Sequence, residues 1–454
     1  MTHPVGTVHA VPRFARDAQD RRILALALPA LGTLAAEPLY VLADTAIVGH
    51  LGTTPLAGLA LAASVLLLVT AGCNFLAYAT TQRLAHHRGG GHDSKAAAVG
   101  VQALWLCALL GVPIAVAVAA CAEPLVWLLG GRGDVLDVAT TYLRISAVGL
   151  PFVLVALAGQ GVLRGMEDLR TPLVIVVIAN VVNIGLEVVA VYLLDLGIAG
   201  SAWSTVAVQV LAAGAFGLAV RPHLAAAESR RPDREELTPF LTAGRHLAMR
   251  VAAVLLVITG TTFVAARIDD ATLAAHQIAA TMFSLLALMT DAFAIPAQTL
   301  VAAALGAGDA DGAAAIGRRV LRLAVIAATA LGVLLAVGAW PLAHVFTSDP
   351  AVVSRATVAL ALLALAQPAA GVAMSLDGVL IGAADYRFLG AAAGLSALAF
   401  VPLALTTLAV PALGIVGVWA AVNVWMLFRA SLNHRRFRSG AWTATAAAPA
   451  PVRS

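Results

Sequence analysis

The sequence predicts an all-α polytopic membrane protein, with twelve transmembrane helices in two six-helix halves related by a pseudo-twofold axis. Three observations lead there. Of 454 residues, 61% are hydrophobic and 11% charged, whereas a soluble domain carries about 25% charged residues. The apolar runs are continuous and roughly twenty residues long, the length of a helix crossing a bilayer; a transmembrane β-barrel would alternate over segments of roughly ten residues. Finally, the chain repeats itself: GVLRGMEDLRTPL begins at Gly161 and GVLIGAADYRFL at Gly378, 217 positions later.

Taken in order, the first six apolar segments fall at 23–48, 56–80, 96–120, 138–163, 171–194 and 197–220. Six more follow at 243–266, 273–301, 316–340, 352–381, 388–409 and 412–433. The organisation expected is an N-terminal tail (1–20), a first half (21–220), a polar linker (221–241), a second half (242–434) and a disordered Ala/Pro-rich tail (435–454). The spacing of 217 also maps Pro151 onto Pro368, Gly197 onto Gly414 and Gly200 onto Gly417. Each half has an even number of helices, so both insert the same way round, with a transport path expected between them.

Charge fixes the expected orientation. All but four of the 28 Lys and Arg residues (Arg132, Arg144, Arg267 and Arg355) fall on the side shared by the termini and the linker. The positive-inside rule places that side in the cytoplasm, making this a multi-pass inner-membrane protein. The pI of about 9.3 is therefore topogenic and does not indicate a nucleic-acid partner. The N-terminus has no apolar core of a signal peptide, so the first helix is expected to direct insertion.

Several short motifs read as structure. Cys73, Cys107 and Cys121 lie in apolar runs and are an odd, scattered set, not a disulfide framework. HHRGGGH at 86–92 reads as a solvated loop beside Arg88 and Lys95, not a metal site. GQGVLRG at 159–165 lacks the spacing of a nucleotide loop. Gly161/Gly165 and Gly378/Gly382 are GxxxG pairs suited to close helix packing.

The chemistry is expected at acids inside the apolar helices: Glu37, Asp44, Glu187, Asp291 and Asp377. A charged side chain at mid-bilayer costs at least ~3 kcal/mol and marks a partner or a function. Glu37, Tyr40 and Asp44 share a face of helix 1, and Asn183 and Glu187 lie one turn apart in helix 5. Gln160 and Thr205 are polar positions on helices 4 and 6. Across the repeat, Asp44 becomes Thr261, Glu37 Val254, Asn183 Phe400 and Glu187 Ala404. The scaffold is duplicated and the acids are not, which favours a functional site in the first half. Asp377 aligns with Gln160, a cavity-type position of the second half. Two carboxyls brought together away from water would titrate as a unit and share one proton.

The stretch ALPALGTLAAEPLYVLADTAIVGHLG at 27–52 resembles the first helix of MATE (multidrug and toxic compound extrusion) transporters of the DinF-like branch. RGMEDLRTPL at 164–173, DGVLIGAADYRFL at 377–389 and NIGLEVVAVYLLDLGIAGSAW at 183–203 resemble other segments of that branch. The resemblance implies two six-helix lobes and export of organic cations or amphipathic compounds, driven by H⁺ or Na⁺ entry and needing no cofactor. It places the coupling acid at Asp44, with Tyr40, Gln160, Asn183, Glu187 and Thr205 around it, and implies that Asp44 and Glu187 meet. Two positions depart from the branch: Glu187 stands where Asp is usual, and Gln160 where Asn is frequent. Pro38, six residues before Asp44 in sequence, is the expected hinge of helix 1. The expected partners are a small-molecule substrate and the lipid bilayer, with the protein a monomer. Two other readings are weaker. A lipid-linked saccharide flippase would want cavity cations, and only Arg144, Arg250 and Arg267 are candidates. A membrane enzyme would want a catalytic set, and no HExxH, GxSxG or Ser/His/Asp arrangement is present in the helices.

Overall fold

The computed structural model describes residues 13–444, with no strand among them. Helix α1 (Arg13–Gly49) is followed by α2 (Thr53–Cys73) and α3 (Phe75–Gly89), which together form one span interrupted at Asn74. Next come α4 (Asp93–Ala120) and the short α5 (Ala122–Leu128). Helices α6 (Gly133–Ala147) and α7 (Leu150–Gly165) meet at a 50° bend, where Pro151 opens α7. The first half closes with α8 (Arg170–Val188), its π-helical extension Val189–Leu193, and α9 (Gly197–Val220). The second half is α10 (Arg234–Ile268), α11 (Asp270–Gly306), α12 (Ala310–Phe346), α13 (Pro350–Gly382), α14 (Tyr386–Ala409) and α15 (Gly414–Arg438). Among the described residues, eleven helices are long and apolar enough to cross a membrane, and the bent pair taken as one span makes twelve.

Three expected boundaries need correction. The first helix begins at Arg13, inside the segment read as a tail; residues 1–12 lie outside the described residues. Helix α10 begins inside the expected linker. The Asp233 carboxylate caps it by accepting from the Glu235 N–H at 2.9 Å, and Glu235 and Glu236 fill its first turn. The segment expected to be disordered from 435 is helical to Arg438. Beyond it Trp442 is buried, stacked on Phe437 at 5.5 Å, with its indole N–H donating to Phe437 O at 3.0 Å. Residues 445–454 of that segment lie outside the described residues.

Packing follows the repeat. In the first half α3 lies on α7, which also packs on α4 and α9; in the second, α11 lies on α13, which also packs on α12 and α15. A Cβ added to Gly161 would stand 2.8 Å from Ala77 O, and one added to Gly378 2.3 Å from Ala294 O. Ala294 is the repeat mate of Ala77. The GxxxG glycines thus let backbones touch in both halves. The duplicated turns agree as well: Gly91 and Gly308 have φ of 74° and 75°, and Glu167 and Ala384 of 64° and 57°.

The halves meet through α11, which packs on α3 and α1. At the end bearing the termini the contact is reciprocal. A Cβ on Gly89 would lie 2.0 Å from Ala303 O, and one on Gly306 would lie 1.8 Å from His86 O. Gly306 is 217 residues after Gly89 and Ala303 is 217 after His86, so one contact is made twice across the axis. Polar links between the halves gather toward the same end. Arg83 binds the Glu236 carboxylate and backbone oxygen, Arg322 pairs with Asp20 at 2.5 Å, and Gln298 donates to Tyr78 O at 2.6 Å.

Candidate functional site

Helices α1, α8 and α9 bring most of the expected residues together. Asp44 is 6% exposed, and its Oδ1 accepts from Ser201 Oγ of α9 at 2.9 Å. One turn back on α1, the Tyr40 hydroxyl meets Thr205 Oγ1 at 3.0 Å. Thr205 Oγ1 itself donates to Ser201 O at 3.0 Å, so Tyr40 is the donor to Thr205. Glu187 is wholly buried at the end of α8, where its side chain lies beside those of Asp44 and Ser201. Neither of its oxygens has a hydrogen-bond donor, and the Asn183 Oδ1 is likewise unpartnered and buried. Asn183 adjoins Tyr40. The π-helical segment begins two residues after Glu187; such segments widen a helix locally and recur at functional sites.

Among the described residues, no cation is paired with Asp44 or Glu187. Two carboxylates brought together away from water repel one another when both are ionised.

Other expected residues stand apart. Gln160 Oε1 accepts from Arg164 Nη2 at 2.8 Å, one turn along α7. Glu37 is exposed on α1, two turns from Asp44. Pro38 lies in the unbroken α1, which also contains Pro29. Asp377, 2% exposed, is consumed by its own half. Its Oδ2 accepts from Arg250 Nε at 3.0 Å and Nη2 at 2.8 Å and is bonded by Arg429, while Oδ1 accepts from Asn433 Nδ2 at 2.7 Å. This network ties α10, α13 and α15 together; removing one member of such a set leaves a buried charge unpaired, at about 3–5 kcal/mol. The repeat mates of the first-half acids do ordinary work. Thr261 bonds backbone oxygens of its own helix, and Phe400 and Ala404 belong to the second-half core.

Ser201 and the buried Tyr142 of α6 also adjoin the acids, and sequence reasoning missed both. Ser201 had a signal: it is one turn from Thr205, on the same face. The motif acid Asp168 is structural, since its carboxylate caps α8 through the N–H groups of Arg170 and Thr171 and the Thr171 hydroxyl. The three arginines that a flippase would need are engaged: Arg144 with Glu123, Arg250 with Asp377, and Arg267 over the Phe263 ring.

The MatE family model matches twice, over residues 29–189 and 247–406, once in each half of the repeat. The chain belongs to the MatE family. Protein DETOXIFICATION 44, chloroplastic, of Arabidopsis thaliana is 31% identical over 94% of this chain and 84% of its own length. DNA damage-inducible protein F of Escherichia coli is 27% identical over 94% of each chain. Among solved structures, a MATE transporter in the bent conformation superposes with a TM-score of 0.88 at 21% identity, over 95% of this chain and 98% of that one. This MATE protein is thus a polytopic membrane transporter of the multidrug and toxin extrusion type, not an enzyme.

Proposed function

We propose that this MATE protein is an antiporter that exports organic cations or amphipathic toxic compounds in exchange for protons taken up at Asp44 and Glu187. The observation that carries the reading is the buried, cation-free contact of these two carboxyls. With one proton the pair is satisfied; without it, the pair holds a negative charge in a setting of low dielectric and attracts a cationic substrate. Tyr40, Asn183, Ser201 and Thr205 supply hydrogen bonds that exchange partners as the proton arrives. The contacts between the halves close the basic end. Its basic face supports a cytoplasmic location for both termini and insertion in the inner membrane, with the single chain as the transporting unit.

The test is flux in proteoliposomes. An imposed pH gradient should drive a fluorescent lipophilic cation against its concentration. Transport that follows a sodium gradient at equal pH on both sides would reassign the ion.

Two smaller effects are expected. Tyr40→Phe removes the bond to Thr205, worth about 1 kcal/mol, so KM for the cation should rise several-fold while the proton-to-substrate ratio stays fixed. A changed ratio would place Tyr40 in the coupling step. Pro38→Ala restores a helix hydrogen bond in α1, and export should slow with expression intact. Unchanged turnover would remove Pro38 as the hinge and turn attention to Pro29.

A further inference from the structure

A second feature, apart from the carboxyl pair, lies on the first half. Between α4, α9 and the linker is a hollow of about 490 Å³. Val101, Leu104 and Leu224 form an apolar wall, and Arg221 and Arg230 stand at the rim. Gly217 lines the hollow and leaves room: a Cβ added there would meet nothing within 4 Å. The rim is pre-formed. The Trp105 indole N–H donates to Arg230 O at 2.8 Å, and the Gln102 amide donates to Arg231 O at 2.8 Å while accepting from Asp233 N at 3.0 Å. These bonds hold the linker against α4.

Among the described residues the Arg221 and Arg230 side chains have no hydrogen-bond or ion-pair partner, and both residues are exposed. Two free guanidiniums at the rim of an apolar wall, with the Trp105 indole also lining the hollow, match the boundary between headgroups and acyl chains. The hollow is far from the carboxyl pair. Ser201 and Thr205 begin α9, whereas Gly217 is three turns or more farther along it. The repeat supplies a second observation. Gly217 maps onto His434 and Arg221 onto Arg438, and both of those line a hollow of about 590 Å³ at the same end of α15, with Ser431, Arg435 and Ser439. That hollow lacks an apolar wall, so only the first suits a lipid's tail as well as its head.

We propose that the hollow between α4, α9 and the linker binds an anionic phospholipid of the leaflet facing the termini. Arg221 and Arg230 hold its phosphate by charge-assisted hydrogen bonds, and an acyl chain lies along Val101, Leu104 and Leu224. The linker is the covalent connection between the halves, so the lipid fastens one end of that connection to the first half.

The test is native mass spectrometry of the full-length protein in detergent with dioleoyl phosphatidylglycerol or dioleoyl phosphatidylcholine. Wild type should retain the anionic lipid preferentially. In Arg221→Gln/Arg230→Gln that preference should fall roughly tenfold or more, as loss of two basic residues near a membrane surface implies. Gly217→Leu keeps both charges and fills the hollow, so it should weaken retention too, with the melting temperature in phosphatidylcholine unchanged. Equal retention by wild type and both variants would overturn the proposal. So would loss confined to Arg435→Gln/Arg438→Gln, which would move the site to α15. Displacement of the lipid by inorganic phosphate at low concentration would show a free-phosphate site and overturn the lipid assignment.

Discussion

Asp44→Asn is expected to release no proton when a lipophilic cation is added to the purified protein in weak buffer, and its gradient-driven export should fall to background. This is the largest effect expected on function. The amide keeps the size of the side chain and a hydrogen bond to Ser201, so α1 and α9 remain packed. What disappears is the second ionisable group. Without the second carboxyl there is no shared proton for an arriving cation to displace. A buried charge pairing lost with one partner costs about 2–5 kcal/mol, which corresponds to a loss of roughly thirty-fold or more in cation affinity. The measurement is pH against added cation for wild type and variant. Release of the same number of protons by Asp44→Asn would remove Asp44 from the coupling site. Cation binding without proton release by either protein would make the acid structural, or the coupling ion sodium, and the titration would be repeated with and without sodium.

The second large effect is expected far from any acid. In Gly89→Val or Gly306→Val a Cβ must fit where a carbonyl oxygen stands 2.0 or 1.8 Å away. Nonbonded carbon contacts settle near ~3.5 Å, so α3 and α11 must part by about 1 Å or more. Neither glycine has the positive φ that would strain a larger residue, and the obstacle is contact between the halves alone. Each half should fold, and the seal at the basic end should fail to close. Export is expected to fall by about tenfold, because a conformation with that end shut becomes costly. Spin labels at positions 93 and 311, both exposed at this end in opposite halves, should report a longer distance than in the parent. The native cysteines would first be replaced. An unchanged distance with unchanged export would show that the contact does not govern closure.

The fold was largely legible because hydrophobicity is a one-dimensional signal. Runs of apolar residues at bilayer length gave twelve spans, and the constant spacing of GVLRG and GVLIG gave the duplication. Boundaries were less legible where polar residues serve a helix. The acids at 233–236 look like linker, yet they cap and charge the start of α10. Arg435, Arg436 and Arg438 look like a tail, yet they end α15 and precede the buried Trp442. At the site, Asp44 and Glu187 stood out as acids among apolar residues, but spacing could not show that α1 and α8 bring them together; the resemblance supplied that. Asp377 shows the limit most clearly. Its two arginines lie 127 and 52 residues away, and only the fold reveals that this acid is already neutralised. HHRGGGH at 86–92 read as a solvated loop, yet its first four residues end α3 and Gly89 packs on Ala303, a partner too distant in sequence to be read from it.

The absence of a cation beside Asp44 and Glu187 has an electrical consequence. Under the proposed exchange, a proton and a singly charged substrate each bring the pair to the same net charge. The rest of the protein contributes equally to both forms, so the halves carry the same charge when they rock with either passenger. Membrane voltage, worth about 2.3 kcal/mol per elementary charge per 100 mV, then cancels over a full cycle for a monovalent compound, and the pH difference alone drives export. For a divalent compound exchanged against one proton the cancellation fails, and an inside-negative potential opposes its exit. Collapsing the potential with a potassium ionophore should therefore leave export of a monovalent cation unchanged and raise export of a divalent one.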